Sequence, residues 1–76
     1  MNNSRRKEIK TAIELLEQAR DILEDCRDEE EEYRDNIPEN LQYSDRYEAA
    51  DEAVDNLDEA LDNIETAIDN AENAAV

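Results

Sequence analysis

Seventy-six residues carry 24 Asp and Glu against 8 Lys and Arg, a formal charge of −16 with no histidine. One small domain is the ceiling at this length, and a core of that size rarely supplies more than about 3–5 kcal/mol, so a disulfide, a metal or a partner subunit is the usual reinforcement. Cys26 stands alone, which excludes an internal disulfide and a Cys/His zinc site, and no apolar run approaches the roughly 20 residues of a membrane span.

The polar start, Met1 to Lys7, runs into charged helical sequence rather than an apolar stretch, so the expectation is a cytosolic chain without a signal peptide. Helix one is predicted from about Ser4 to Asp35. Ile9, Leu16 and Leu23 recur every seven residues, with Ala12, Ala19, Cys26 and Tyr33 at the complementary positions. This is an a/d seam in which Cys26 would be a small buried member. Ile13, Leu15 and Ile22 widen the apolar face beyond what one partner helix covers, and the surplus points to a second contact, most simply another copy. The acidic run Asp28 to Glu32 sits at the wrong end of the helix for its dipole, with relief expected from Arg27 to Glu31 and from Arg34 to Glu30.

The connection, residues 36–44, holds the only proline, Pro38, in a chain with no glycine. Asn36 followed by Glu39 fits a capping box for a short helical turn over Ile37 to Gln42, and Ser44 is placed to cap helix two. Tyr33, Tyr43 and Tyr47, with Ile37 and Leu41, are expected to close this end as a small core.

Helix two is predicted from about Asp45 to Ala74 and contains a heptad repeat, Ala53 to Glu59, Ala60 to Thr66 and Ala67 to Asn73. Val54, Leu61 and Ile68 form one seam row, and Leu57, Ile64 and Ala71 the other. Ala53, Ala60 and Ala67 add a small-residue row able to receive Leu15 and Ile22 of helix one. Asn56, Asn63 and Asn70 share another heptad position and are expected to face water. Glu48, Asp51, Asp55, Asp58, Asp62, Glu65, Asp69 and Glu72 follow at alternating steps of three and four, a carboxylate ladder along one side of the cylinder.

These elements predict one all-α domain, an antiparallel helical hairpin resembling a coiled coil, assembled as a homodimeric four-helix bundle. Its register can be read from charge. Arg20, Arg27 and Arg34 also recur every seven, and antiparallel packing brings Arg34 to Asp51, Arg27 to Asp58 and Arg20 to Glu65, three pairs whose numbers each sum to 85. Arg5, Arg6, Lys7 and Lys10 would lie alongside Asp69 and Glu72. The unmatched remainder, Glu48, Glu52, Asp55, Glu59, Asp62 and Asp69, is the candidate partner-binding face, although a face of this kind can also serve solvation alone.

Without His or Gly, and with one Cys, most nucleophile and base arrangements and every glycine-rich phosphate loop are excluded. Glu29-x-x-Glu32 with Glu48-x-x-Asp51 is similar to the magnesium-holding motifs of MazG-type nucleotide pyrophosphatases. The same spacing recurs at Glu52 with Asp55 and at Glu59 with Asp62, as it must in so acidic a chain, and outward positions diverge where magnesium needs convergence. No enzyme, cofactor, catalytic residue or metal ligand is expected.

The stretch Asp35-Asn36-Ile37-Pro38-Glu39-Asn40-Leu41-Gln42, followed by Ser44-x-Arg46-Tyr47-Glu48 and an alanine-rich acidic heptad helix, resembles short acidic helical proteins of phages and mobile elements of Gram-positive bacteria. The resemblance implies an inhibitor of host machinery, some such proteins imitating DNA, and brings no functional residues with it. The expected function is therefore non-catalytic binding to a basic protein, such as a nucleic-acid-binding protein, through the acidic face. Direct contact with nucleic acid or membrane is disfavoured by like charge. The alternative is a structural, scaffold or antitoxin-like bundle that binds another helix through its apolar surplus.

Overall fold

A computed structural model describes residues 1–76 as two long helices folded back on each other. Helix α1 spans Asn3–Asp35 and helix α2 spans Asp45–Ala74, with a 3-10 turn at Glu39–Leu41 between them. The hairpin measures 59 × 15 × 13 Å, one long helix in length and two in width. No helix is long and apolar enough to cross a membrane.

Side chains at both N-termini meet the free backbone donors. Asn2 accepts from the Arg5 N–H at 2.8 Å, so α1 starts just ahead of the predicted Ser4. Ser44 accepts from the Tyr47 N–H at 3.3 Å while its own hydroxyl donates to the Leu41 carbonyl at 2.6 Å, joining α2 to the turn before it. The capping box expected of Asn36 and Glu39 is not made. Asn36 completes α1 instead, with helical dihedrals of φ −85 and ψ −5 and its N–H donated to Glu32 at 3.0 Å. A cap residue must be extended, and the extended residue here is Pro38, at φ −55 and ψ 146.

The seam is asymmetric. α2 buries Ala50, Val54, Leu61 and Ile68, and its Leu57, Ile64 and Ala71 are half-buried, as the heptad reading requires. α1 buries no residue completely. Of its half-buried positions, Ile9, Ile13, Leu16, Arg20, Leu23, Arg27, Glu30 and Arg34 follow an alternation of four and three that continues to the buried Ile37, while Arg6, Glu17 and Ala19 are half-buried beside them. The arginine row is thus part of the seam rather than its flank, with aliphatic stems covering the interface and guanidiniums at its edge. α1 is rotated by one heptad row from the expected orientation. Ala12, Cys26 and Tyr33 consequently turn outward, and Cys26 is exposed instead of buried.

Two further expectations change with that rotation. Leu15 and Ile22 do not pack into the alanine row of α2; they remain 59% and 63% exposed. At the connection only Ile37 and the half-buried Tyr47 close the core, whereas Tyr33 and Leu41 are partly exposed and Tyr43 stands in solvent.

Candidate protein-binding faces

The hairpin has two long edges where α1 meets α2, and they differ in chemistry. On one edge Arg20, Arg27 and Arg34 cross to Glu65, Asp58 and Asp51 through Nη1 at 3.1, 2.7 and 2.8 Å, the register of 85 read from the sequence. Each arginine also donates Nε to the carboxylate next to it in the chain, Asp21 at 3.4 Å, Asp28 at 2.9 Å and Asp35 at 3.1 Å. Those second bonds replace the expected pairs with Glu30 and Glu31. All three guanidiniums are held above their ordinary range, Arg20 chiefly by its bond to Glu65, Arg27 by that to Asp58 and Arg34 by that to Asp35, with partial desolvation opposing.

The same register leaves the basic start of α1 without the partners assigned to it. It sets Asp69 level with Leu16 and Glu72 level with Ile13, both short of Lys10. Arg5, Arg6, Lys7 and Lys10 form no ion pair, and Arg6 donates to the Asn3 side chain at 3.0 Å.

Glu48, Glu52, Asp55, Glu59, Asp62 and Asp69 are all exposed, and none has a cationic partner. They lie on the side of α2 that turns away from α1, together with the exposed Asn56, Asn63 and Asn70. Because no Lys or Arg follows Arg46, nothing in α2 itself can neutralise them. Asp51, one of the acids of the magnesium-like motif, is occupied by Arg34, and no three Cys, Asp or Glu side chains converge on a common point.

The other edge of the hairpin is apolar and open. Rotating away from the arginine row, α1 presents Ala12, Leu15, Ala19, Ile22 and Cys26, a second series at alternating steps of three and four, with Tyr33 one heptad beyond Cys26. α2 contributes the half-buried Ala53, Ala60 and Ala67 on the same side. Near the connection this face ends in Arg46, whose guanidinium carbon lies 5.2 Å from the Tyr33 ring centroid and whose Nε donates to the Tyr33 hydroxyl. Beneath them Ile37, Pro38 and Leu41 line a hollow of about 280 Å³. Sequence reading missed the Tyr33–Arg46 contact, since its partners are joined only by the shape of the connection. The second series on α1 was legible in its spacing and was merged with the first.

Compared with known proteins, the chain matches no protein-family model, no curated protein and no solved structure.

Proposed function

We propose that the chain is a non-catalytic acidic binding protein acting in the cytoplasm, a homodimeric four-helix bundle whose α2 occupies a basic, nucleic-acid-binding groove on another protein. In this reading it imitates DNA and serves the counter-defence of a phage or mobile element. The support is the contrast between two sets of carboxylates on α2. Asp51, Asp58 and Glu65 are each held by an arginine, whereas Glu48, Glu52, Asp55, Glu59, Asp62 and Asp69 are exposed and unpaired. From Glu48 to Asp62 the unpaired acids are spaced by about 5 Å of helix rise, with a wider step of about 10 Å to Asp69, against about 3.4 Å between phosphates on one strand of B-DNA. Two copies in a dimer raise the charge density toward that of a duplex.

A second reading rests on a different observation, the exposure of Leu15 and Ile22 at 59% and 63%. There the protein is a scaffold or antitoxin-like bundle, and its apolar face takes a helix of another protein. One experiment separates the two: tagged protein is exposed to nuclease-treated bacterial lysate and washed at low or high salt. The acidic reading expects a nucleic-acid-binding protein that is released by salt and lost from an Asp55→Asn, Glu59→Gln, Asp62→Asn variant. Retention of the same partner by that variant, with loss on Leu15→Ser, Ile22→Ser, assigns binding to the apolar face and overturns the mimic.

A further inference from the structure

Three features of α1 remain without an internal partner. The first is the apolar series Ala12, Leu15, Ala19, Ile22 and Cys26 on the open edge, all exposed except the half-buried Ala19. The second is the unpaired basic start, Arg5 to Lys10, and the third is the acidic run, in which Glu29, Glu30, Glu31 and Glu32 make no ion pair. Basic start and acidic run lie at opposite ends of the same helix. A parallel neighbour would set acid beside acid, and an antiparallel neighbour sets acid beside base.

We infer that the open edge is covered by a second copy of this chain, with the two α1 helices antiparallel and related by a twofold axis at Ala19. This deepens the homodimer proposed above and rests on it. The register follows from the side chains to be covered. With Ala19 level with Ala19 of the second copy, Leu15 of each copy meets Ile22 of the other, and Ala12 meets Cys26. Sliding by one heptad in either direction places Leu15 against Glu29 or Ile22 against Glu8, burying a carboxylate on an apolar residue at considerable cost. The chosen register also continues past the apolar series. Arg5 belongs to the heptad row of Ala12, Ala19 and Cys26, and it arrives level with Tyr33 of the second copy, within one turn of Glu29 and Glu32. Glu8 comes near Glu29 of the second copy, and Arg5 one turn away balances that pair. The twofold repeats every contact, so Arg5 of each copy faces Glu29 and Glu32 of the other.

The native cysteine makes the arrangement testable. In the antiparallel pair the two Cys26 residues are 14 positions apart along the axis, about 21 Å, far beyond the Cα separation of about 4.4–6.8 Å that a disulfide spans. Ala12→Cys places a thiol level with Cys26 of the other copy at a position that is already exposed. Mild oxidation with a glutathione couple should convert Ala12→Cys to a covalent dimer as the majority species. The unaltered chain and the Ala12→Cys, Cys26→Ser variant should remain monomeric on a non-reducing gel. Helix content by circular dichroism guards against misfolding, and sedimentation equilibrium reports the non-covalent state. Cross-linking of the unaltered chain through Cys26 overturns the antiparallel pairing in favour of a parallel one. A sedimenting dimer that Ala12→Cys fails to cross-link overturns the α1 pairing while leaving the dimer. A monomer at every concentration overturns the dimer itself and leaves the edge to a helix of another protein.

Discussion

The two helices of the hairpin are close in length and share a heptad periodicity, yet α2 buries four residues almost completely and α1 buries none. The difference lies in how each spends its apolar rows. In α2 the rows of Val54, Leu57 and Ala53 are adjacent, so a single stripe faces α1. In α1 the seam takes the Ile9 row and an arginine row, and the rows of Ala12 and Leu15 are left on the open edge. A helix that divides its apolar surface between two directions cannot bury either one alone, and this is the ordinary condition of a helix inside a larger bundle.

The largest test of that contrast compares a covered leucine with an open one. Leu61 is 8% exposed and Leu15 is 59% exposed. Leu61→Ala should cost about 2–5 kcal/mol, comparable with all that a core of this size supplies, and leave the chain largely unfolded at room temperature. Leu15→Ala should leave the melting temperature of dilute protein nearly unchanged and lower it, relative to the parent, progressively as concentration rises, because in the proposed dimer only the second copy covers that side chain. Thermal melts by circular dichroism over a concentration series measure both. Equal losses at all concentrations would mean that Leu15 belongs to the seam of its own hairpin.

Most of the hairpin was legible because its determinants are local or periodic. Ser44 marks the start of α2, and the absence of Gly lets both helices run uninterrupted. The ion pairs of Arg20, Arg27 and Arg34 could be assigned because charge at fixed heptad spacing admits one antiparallel register. The rotation of α1 about its axis was not legible. Its apolar stripe is four rows wide, counting Ile13, and any adjacent pair of rows reads as a seam. The choice is made by reach: Nη1 of three arginines must approach α2 to within 3.1 Å, which draws that row into the interface and turns Cys26 out. Capping at the connection was misread for a related reason, since Asn36 can end one helix or begin another, and Pro38 decides by fixing the extended geometry after it. The exposed carboxylate face proposed for binding was legible as a list of unmatched carboxylates, because matching is settled by the same register.

An intermediate test sharpens the contrast at the helix starts. Ser44→Ala removes the acceptor for Tyr47 and the bond to Leu41, at the point where α2 first meets α1. A loss of about 1 kcal/mol is expected, within the usual range of about 0.5–2 kcal/mol for such caps. Asn2→Ala removes the same kind of bond from the start of α1, where the register leaves the helix without a facing turn of α2. Fraying there costs only the turn that frays, so the global melt should stay in place while amide exchange accelerates over the first turn alone. A global shift from Asn2→Ala equal to that from Ser44→Ala would place the start of α1 inside the cooperative unit.

The smallest effect is the most exacting, because the edge formed by the arginines carries two opposed contributions. Arg27 bonds Asp58 at 2.7 Å and Asp28 at 2.9 Å, with side chains 28%, 48% and 66% exposed. Removing Arg27 takes away a partner and moves the net charge from −16 to −17, whereas removing Asp58 takes away the same partner and moves it from −16 to −15. Arg27→Gln should therefore lower the melting temperature more than Asp58→Asn, although both delete one ion pair. Salt separates the two contributions: screening weakens the pair, and it also relieves the repulsion among 24 carboxylates, which is the longer-ranged of the two. The unaltered chain should thus melt higher in 1 M salt than at low ionic strength, while the coupling between positions 27 and 58 in a double-mutant cycle shrinks toward zero. The pH dependence has a definite sign. Bonding to Asp58 and Asp28 raises Arg27 above its ordinary value, so its contribution is complete below that ordinary value and is lost only as pH rises through the higher folded-state value. The coupling should accordingly be flat between about pH 6 and pH 10, where an arginine retains its proton. A lysine in its place would begin to lose charge near the upper end, so decline of the cycle over that range in the Arg27→Lys background but not in the parent identifies the guanidinium as the group that holds the edge closed.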